Sequence, residues 1–238
     1  MIISVSGTYP PCIIGSVADA DTFHSLLTAG STPDCDMLEL RVDGLLKSGV
    51  NVDEMLQATL SQPLLVTVRT PEEGGLYPFA DTQSRADIAM HLLPRASALD
   101  WEIEHLSEVP QLVDAAKKAG VMLIASAHNF EKAPTEQELR MLELRARRLG
   151  ADVVKFAFAV NDAEDVQVGV NILRSASGPM AVMGMGALGP VSRLLYAQHG
   201  SCLVYGYFGN APTAPGQWST ALFRAALSAL ESVSGMSK

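Results

Sequence analysis

The segment that decides the fold is VMLIASAHNFEKAPTEQELRMLELRARRLGADVVKFAF, residues 121–158. It begins with an apolar run of strand length and ends with another. Between these runs, Thr135 and Glu138 form a capping-box pattern at the start of an amphipathic stretch, and Gly150 follows its end. Strand, helix and strand at this spacing predict a βαβ unit with two parallel strands.

The same alternation of short apolar runs and amphipathic stretches extends over the whole chain. It predicts strands at 2–7, 37–42, 64–69, 98–104, 121–127, 152–158, 179–185 and 202–207. Helices are predicted at 16–29, 51–61, 82–96, 107–119, 135–149, 162–175, 190–199 and 217–232. Eight strands, each followed by a helix, with no linker or shift in composition, predict an α/β fold with a single (β/α)8 TIM barrel over residues 1–238. A doubly wound open sheet is the alternative.

Composition narrows the classes of protein to which the chain can belong. The chain has 238 residues, of which 48% are hydrophobic and 18% charged, and this is ordinary globular composition. A net charge of −9 disfavours binding to nucleic acid or to an anionic membrane surface. The three cysteines lack the spacing of a disulfide framework or a zinc site. Without a signal-peptide pattern or an apolar run long enough to span a bilayer, we expect a soluble cytoplasmic protein.

Polar side chains interrupt several of the predicted strands near their C-terminal ends. Successive side chains of a strand point to opposite faces, so the polar residues of each strand share one face, and we expect that face to be the barrel axis. Unpaired buried charges are costly, and barrel active sites lie at the C-terminal ends of the strands. The pattern therefore predicts an active site there. The interrupting residues are Glu39, Arg41, Asp43, Arg69, Asp100, Glu102, Glu104, Ser126, His128 and Lys155.

Lys155 is the sharpest of these signals, because it lies in the middle of the otherwise apolar strand at 152–158. Burial and neighbouring cations favour a neutral amine, which is a nucleophile toward ketones and aldehydes. The functional interpretation is an imine-forming lysine. The alternative is a structural lysine paired with a carboxylate such as Glu39 or Glu102.

His128 lies one strand before Lys155, at the end of the strand in ASAHNF. An imidazole titrates near neutral pH, so His128 is a candidate general base, although a hydrogen-bonded structural histidine is an equal alternative. Glu102, on the preceding strand, is a carboxylate able to orient that imidazole. Its alternative role is to pair with Arg41 or Arg69.

Two later loops carry residues suited to substrate binding. MGMGALGPVSR (183–193) joins the seventh strand to its helix, and the guanidinium of Arg193 can clamp a carboxylate. GNAPTAPGQ (209–217) follows the last strand and has the composition of a substrate-binding loop. Thr213 and Gln217 are its candidate hydrogen-bonding residues. A plain connection before the final helix is the alternative for this loop.

Seven motifs, MLELRVDGL, LLVTVRTPEEGG, LDWEIE, LIASAHNF, ADVVKFAF, MGMGALGPVSR and TAPGQ, occur in a known order and spacing. From the second strand to the final helix, the chain resembles type I 3-dehydroquinate dehydratases. The resemblance implies a carbon–oxygen lyase of the shikimate pathway that dehydrates the small molecule 3-dehydroquinate to 3-dehydroshikimate through a Schiff base. It implies no metal and no other cofactor, and it suggests a homodimer.

The resemblance also implies roles for individual residues. Lys155 matches the lysine that forms the Schiff base, and His128 matches the base that removes a C2 proton and then protonates the departing C1 hydroxyl. Glu102 matches the carboxylate that positions this histidine, and Arg193 matches the arginine that binds the substrate carboxylate. The other matching positions are substrate-binding residues: Glu39, Arg41, Arg69, Thr213 and Gln217.

Two positions depart from the family pattern. Asn129 follows the histidine where the family has Asp, and Thr213 stands where the family has Ser. Neither departure removes a catalytic group. Two other functions stay open: a Schiff-base aldolase-type lyase that uses Lys155 on the same barrel, and a barrel that binds a small carboxylate without chemistry.

Overall fold

The computed structural model describes residues 10–29, 34–208 and 217–234. The strands in these ranges are β1 Cys12–Val17, β2 Met37–Arg41, β3 Leu64–Thr67, β4 Ala98–Glu102, β5 Met122–Asn129, β6 Val153–Ala159, β7 Met180–Met185 and β8 Leu203–Tyr207. The helices are α1 Ala20–Ala29, α2 Val42–Lys47, α3 Val52–Gln57, α4 Thr82–Leu92, α5 Pro110–Ala119, α6 Glu136–Arg148, α7 Ala163–Arg174, α8 Gly189–Gln198 and α9 Thr220–Ser234. Short 3-10 turns occur at Pro71–Glu73, Leu93–Arg95 and Leu106–Glu108.

All paired strands are parallel, and their order in the sheet is β7-β6-β5-β4-β3-β2-β1-β8. The last strand therefore returns to lie beside the first. At the two ends of this sheet, the backbone N–H of Cys202 donates to the carbonyl of Met180 over 2.9 Å, which links the start of β8 to β7. This is the closure of a (β/α)8 barrel, and the prediction is confirmed over the doubly wound alternative.

The position of the first strand differs from the prediction. The barrel begins with β1, Cys12–Val17, whereas the sequence predicts a strand at 2–7, outside the described residues, and a helix from residue 16. Strand pairing identifies Cys12–Val17 as the first strand, because Ile14 is in register with Met37 on β2 and with Tyr205 on β8. Both apolar runs have strand length, and only the neighbouring strands distinguish them.

The helix that follows β5 forms as its sequence predicts. The side chain of Thr135 accepts a hydrogen bond from the backbone N–H of Glu138, and Glu138 accepts one from the backbone N–H of Thr135. This capping box satisfies N–H groups that the first turn of a helix leaves unpaired. By contrast, α5 begins at Pro110 rather than at Ser107, since proline suits the first helical position.

The strands separate two apolar clusters. One lies between the sheet and the surrounding helices and contains outward-facing residues such as Leu38, Val66 and Trp101. The other lies inside the barrel, mostly toward the N-terminal ends of the strands, and contains Ile14, Leu65, Ile124 and Val153, among others. Among the described helices, not one has the length and apolarity that crossing a bilayer would take.

On the six strands β1 to β6, the interior changes character two residues further along the strand. The side chains at that level are polar or charged and buried: Ser16, Glu39, Thr67, Asp100, Ser126 and Lys155. Strand alternation places them directly above the apolar set, toward the C-terminal ends of the strands. The fold thus puts a ring of polar groups at the end of the barrel where active sites of this architecture occur.

Candidate active site

Lys155 projects from β6 into the barrel and is only 4% exposed. Its Nζ donates to Oδ2 of Asp100 on β4 over 2.8 Å. The same nitrogen lies 4.2 Å from the centroid of the Tyr205 ring on β8. The sequence predicts a carboxylate partner such as Glu39 or Glu102, and the carboxylate that Lys155 contacts is that of Asp100 instead. Glu39 lies at the same level of the interior, but its carboxylate is bonded to Ser16 and Thr67.

Asp100 connects the lysine to two further residues. Its Oδ1 accepts from Nη2 of Arg69 over 2.8 Å and from Oγ of Ser126 over 2.6 Å. Burial alone would raise the pKa of Asp100, but the positive charges of Arg69 and Lys155 outweigh it and hold that pKa below its usual range. Asp100 is therefore a carboxylate held between two cations at the centre of the barrel.

His128, at the end of β5, pairs with Glu73. Its Nδ1 lies 2.7 Å from Oε2 of Glu73, and the same oxygen accepts from the His128 backbone N–H over 3.1 Å. Burial, with the charges of Arg69 and Lys155, holds the pKa of His128 well below 6.5. An ionised Glu73 can only accept, so Nδ1 then carries the hydrogen and Nε2 keeps a free lone pair. That tautomer is a base.

Glu73 reaches the histidine because the chain turns sharply after β3. The backbone N–H of Gly75 donates to the carbonyl of Thr70 over 2.7 Å, and Gly74 has φ +85°. A Cβ on Gly75 would lie 2.2 Å from the carbonyl oxygen of Arg69, so no side chain fits there. Burial raises the pKa of Glu73 to about 7. Our sequence reasoning missed this residue, although an acid next to a Gly-Gly turn at a strand end is a usable signal.

The expectation that Glu102 orients His128 is wrong. Glu102 accepts from the backbone N–H of Thr70 over 2.9 Å and from the side chain of Arg85, and it lies 3.2 Å from Nη1 of Arg69. Its alternative role, a partner for Arg69, is the one that the structure supports. A fully buried carboxylate takes the nearest buried guanidinium groups, and one of these comes from α4, whose placement the sequence does not reveal.

The side wall of the barrel contributes Glu39 and Arg41 from β2. The carboxylate of Glu39 accepts from Oγ of Ser16 over 2.5 Å and from Oγ1 of Thr67 over 2.8 Å. Arg41 donates to both carboxylate oxygens of Asp43, over 3.0 and 2.9 Å. Both side chains are therefore held in fixed orientations, which favours the recognition of hydroxyl groups by a rigid site.

Arg193 comes from α8 and is buried. Its Nε donates to the carbonyl of Gly184 over 3.1 Å, and its Nη1 donates to the carbonyl of Tyr205 over 2.6 Å. Burial lowers its pKa to about 10, so it is still a cation at neutral pH. The contacts recorded for its guanidinium in the described ranges are with carbonyls, and a guanidinium in such surroundings suits an anionic ligand.

One cavity at the C-terminal end of the barrel brings most of the predicted residues together. Those on its wall are Glu39, Arg41, Arg69, His128, Lys155, Arg193 and Gln217. Glu73 and Tyr205, which the prediction lacked, also lie on that wall. Glu102 is buried behind it, and Thr213 lies outside the described residues. A larger cavity beside α6 shares His128 but neither Lys155 nor Arg193.

Residues 12–234 match the model of the type I 3-dehydroquinase family. The chain belongs to this family. Its relatives include a 3-dehydroquinate dehydratase of Enterococcus faecalis, 32% identical over 93% of each chain. A catabolic 3-dehydroquinate dehydratase of Acinetobacter baylyi is 32% identical over 77% of this chain and 72% of its own.

Solved structures agree with this family membership. A type I 3-dehydroquinate dehydratase of Clostridium difficile, with covalently modified comenic acid, has a TM-score of 0.83 and 25% identity over 95% of this chain and 94% of its own. The Enterococcus faecalis enzyme has a TM-score of 0.79 and 27% identity, over 94% of this chain and 95% of its own. The barrel and the arrangement of its elements are thus those of the type I 3-dehydroquinase relatives.

Proposed function

We propose that the protein dehydrates 3-dehydroquinate to 3-dehydroshikimate through a Schiff base on Lys155. One observation carries the proposal: a buried amine, an imidazole oriented by a carboxylate and a buried guanidinium lie on the wall of a single cavity. Each of the three groups answers one chemical need of this reaction. These needs are activation of the ketone, transfer of a proton and binding of the substrate carboxylate.

Substrate binding begins with the carboxylate group of the ligand. Arg193 binds it through the guanidinium, which the carbonyls of Gly184 and Tyr205 hold in place. The hydroxyl groups of the ring meet Glu39, Arg41 and Gln217 on the cavity wall. These contacts place the ketone carbon over the amine of Lys155, and correct placement alone lowers the barrier of a bimolecular step.

Imine formation follows at Lys155. The amine must first be neutral, and its proton leaves to water, because Asp100 is held ionised by its neighbouring cations and does not take it up. Its nitrogen then attacks the ketone carbon, the C–N bond forms, and the carbonyl oxygen leaves as water. The protonated imine that results is an electron sink, so loss of a proton from the adjacent carbon gives a neutral enamine instead of a high-energy enolate.

His128 carries out both proton transfers. Its Nδ1 carries the ring hydrogen and donates it to Glu73, so Nε2 has a lone pair and takes the C2 proton. The electron pair of that C–H bond moves into the enamine. The imidazolium then gives its proton to the C1 hydroxyl, which leaves as water while the enamine returns its electron pair to form the conjugated imine. Hydrolysis of this imine releases the product and restores the amine of Lys155.

The relatives support the assignment of substrate and mechanism. Several of them are named 3-dehydroquinate dehydratase, and the Clostridium difficile structure contains a covalently modified ligand. We also propose that the chain is one domain and works in the cytoplasm as a homodimer. Light scattering during size-exclusion chromatography tests the dimer, which predicts twice the 25.3 kDa of one chain.

Reductive trapping tests the chemistry. We expect borohydride, added with 3-dehydroquinate or with the product, to inactivate the enzyme and to leave a covalent adduct on the peptide that contains Lys155. An adduct on another lysine, or none, would overturn the imine assignment. In parallel, formation of the conjugated enone is followed by its ultraviolet absorption. Trapping without enone formation would point to the aldolase-type lyase. The absence of both the adduct and the enone would point to a barrel that binds a carboxylate without chemistry.

A further inference from the structure

Arg85 of α4 is buried in an unusual way for an arginine. It is 2% exposed and lies between α4 and the barrel, with Cζ 4.3 Å from the centroid of the Trp101 ring. Its Nε and Nη2 both donate to the carbonyl of Val68, over 3.0 and 2.6 Å, and Nη2 also donates to Glu102. Arginine is rarely buried to this extent without a specific partner.

Together with Glu102, Arg85 contacts the three successive residues that directly follow β3. Arg85 binds the carbonyl of Val68, and Glu102 accepts the backbone N–H of Thr70 over 2.9 Å. Between them, the guanidinium of Arg69 lies 3.2 Å from Glu102. The pair therefore fixes the backbone on both sides of Arg69 and contacts its side chain as well.

Stability alone does not explain this ion pair. Removing two charges from water can cost more than the buried pair returns, and apolar residues of similar volume often stabilise a protein as well or better. Two polar nitrogen atoms of the described residues, at the pair and beside it, also lack hydrogen bonds. In the described structure, Arg85 Nη1 and Trp101 Nε1 are buried and make no hydrogen bond. Because a buried ion pair is weak evidence of a contribution to stability, the contacts of this pair with the neighbouring backbone point to another role.

The segment held by the pair leads directly into the candidate active site. Arg69 binds Asp100, the partner of Lys155, and the turn that follows Thr70 carries Glu73 to His128. A shift of this segment would displace both contacts at once.

We propose that Arg85 is a positioning residue that acts through Glu102 to hold Arg69 and Glu73 in the geometry required for proton transfer. The inference rests on the proposed function, because it assigns a purpose to the placement of those two side chains. Arg85 is not itself on the wall of the cavity. It touches neither the substrate nor the reacting atoms.

The test compares Arg85→Met and Arg85→Lys with a matched control, Leu92→Ala. Leu92 lies on the same helix and is 1% exposed, but its side chain offers no polar group. We expect Arg85→Met to lower kcat about 10- to 100-fold, the cost of a small misplacement of catalytic groups, with a smaller change in KM. Borohydride trapping at Lys155 should persist. Arg85→Lys should recover part of kcat, and Leu92→Ala should lower Tm with kcat unchanged.

Three results would overturn the inference: a wild-type kcat in Arg85→Met, an equal loss of kcat in Leu92→Ala, or no recovery in Arg85→Lys. If Arg85→Met folds poorly, the double variant Arg85→Met/Glu102→Met removes both charges and should regain Tm. Its kcat should stay low, and recovery of both quantities would show a structural role only. Failure of the wild-type enzyme to form an adduct at Lys155 would instead overturn the proposed function.

Discussion

Two levels of the barrel interior, separated by two residues along each of the strands β1 to β6, have opposite compositions: one is apolar and the other is polar. The lower level, toward the N-terminal ends of the strands, is formed by Ile14, Met37, Leu65, Ala98, Ile124 and Val153. The upper level is formed by the residues two positions further on: Ser16, Glu39, Thr67, Asp100, Ser126 and Lys155. Both levels are buried to a similar degree, so exposure to water does not account for the difference.

The difference separates the part of the interior that stabilises the fold from the part that performs chemistry. Burial of the lower side chains is favourable at roughly 25 cal/mol per Å² of apolar surface. Burial of the upper charges is costly, and pairs such as Asp100 with Lys155 and Arg69 only offset that cost. Substitutions at the upper level should therefore affect turnover far more than stability, and those at the lower level the reverse.

Lys155→Met places an apolar side chain in the upper level, and of the substitutions considered it should lower kcat the most. Loss of the nucleophile should reduce kcat by about 10⁵-fold or more, as for the nucleophiles of other covalent catalysts. Asp100 keeps Arg69 and Ser126 as partners, so Tm should not fall. The measurements are the enone assay and thermal unfolding. Turnover within tenfold of the wild type would place the chemistry elsewhere.

His128→Ala should separate two steps that Lys155→Met removes together. We expect kcat to fall by about 10²- to 10⁴-fold, the usual contribution of a positioned general acid–base group. Lys155 and Asp100 are untouched, so the borohydride adduct should still form. Mass spectrometry of the trapped protein checks this. An enzyme that lost both the adduct and turnover would assign His128 to imine formation instead.

Ile124→Ala tests the lower level. Ile124 is fully buried, and truncation to alanine should lower the free energy of unfolding by about 2–5 kcal/mol. Denaturant titration measures this change, with Met141→Ala as the control because Met141 is 63% exposed. The kcat of the folded enzyme should stay near the wild-type value. A large fall in kcat with little loss of stability would contradict the division between the two levels.

A change of pH near neutrality should alter activity less than the substitutions above. Burial raises the pKa of Glu73 to about 7. Below that pH a protonated Glu73 donates to Nδ1 of His128, which leaves the hydrogen on Nε2 and removes the base. We therefore expect kcat/KM to fall about tenfold per pH unit as the pH drops below 7. Glu73→Gln should have a lower maximum and should lack this descent, and a descent unchanged in that variant would assign it to another group.

Much of the polar interior was predictable, because strand alternation is a local property. Once the strands at 98–104 and 152–158 are recognised, Asp100 and Lys155 must face the axis and Trp101 must face the helices. The capping box of α6 was predictable for the same reason, since its two residues are three apart. The first strand was not, because two apolar runs near the N-terminus both fit the pattern.

The pairing of the charges was not predictable. Lys155 and Asp100 are 55 residues apart, and so are His128 and Glu73. Several carboxylates face the same interior, and the sequence offers no measure of which one lies within 3 Å of a given cation. Glu102 is the clearest example, because its position on β4 suggests the histidine while its oxygens are taken by Thr70 and Arg85.

The sequence by itself determined the barrel, the face of each strand that carries charge and the family to which its motifs belong. These features arise from periodicity and short motifs, in which the interacting residues are close along the chain. Only the tertiary structure decided that Glu73 binds His128, that Asp100 binds Lys155 and that Arg85 of α4 binds Glu102. Such contacts depend on distances set by the closure of the whole barrel, because electrostatic attraction between groups acts through space and not along the chain.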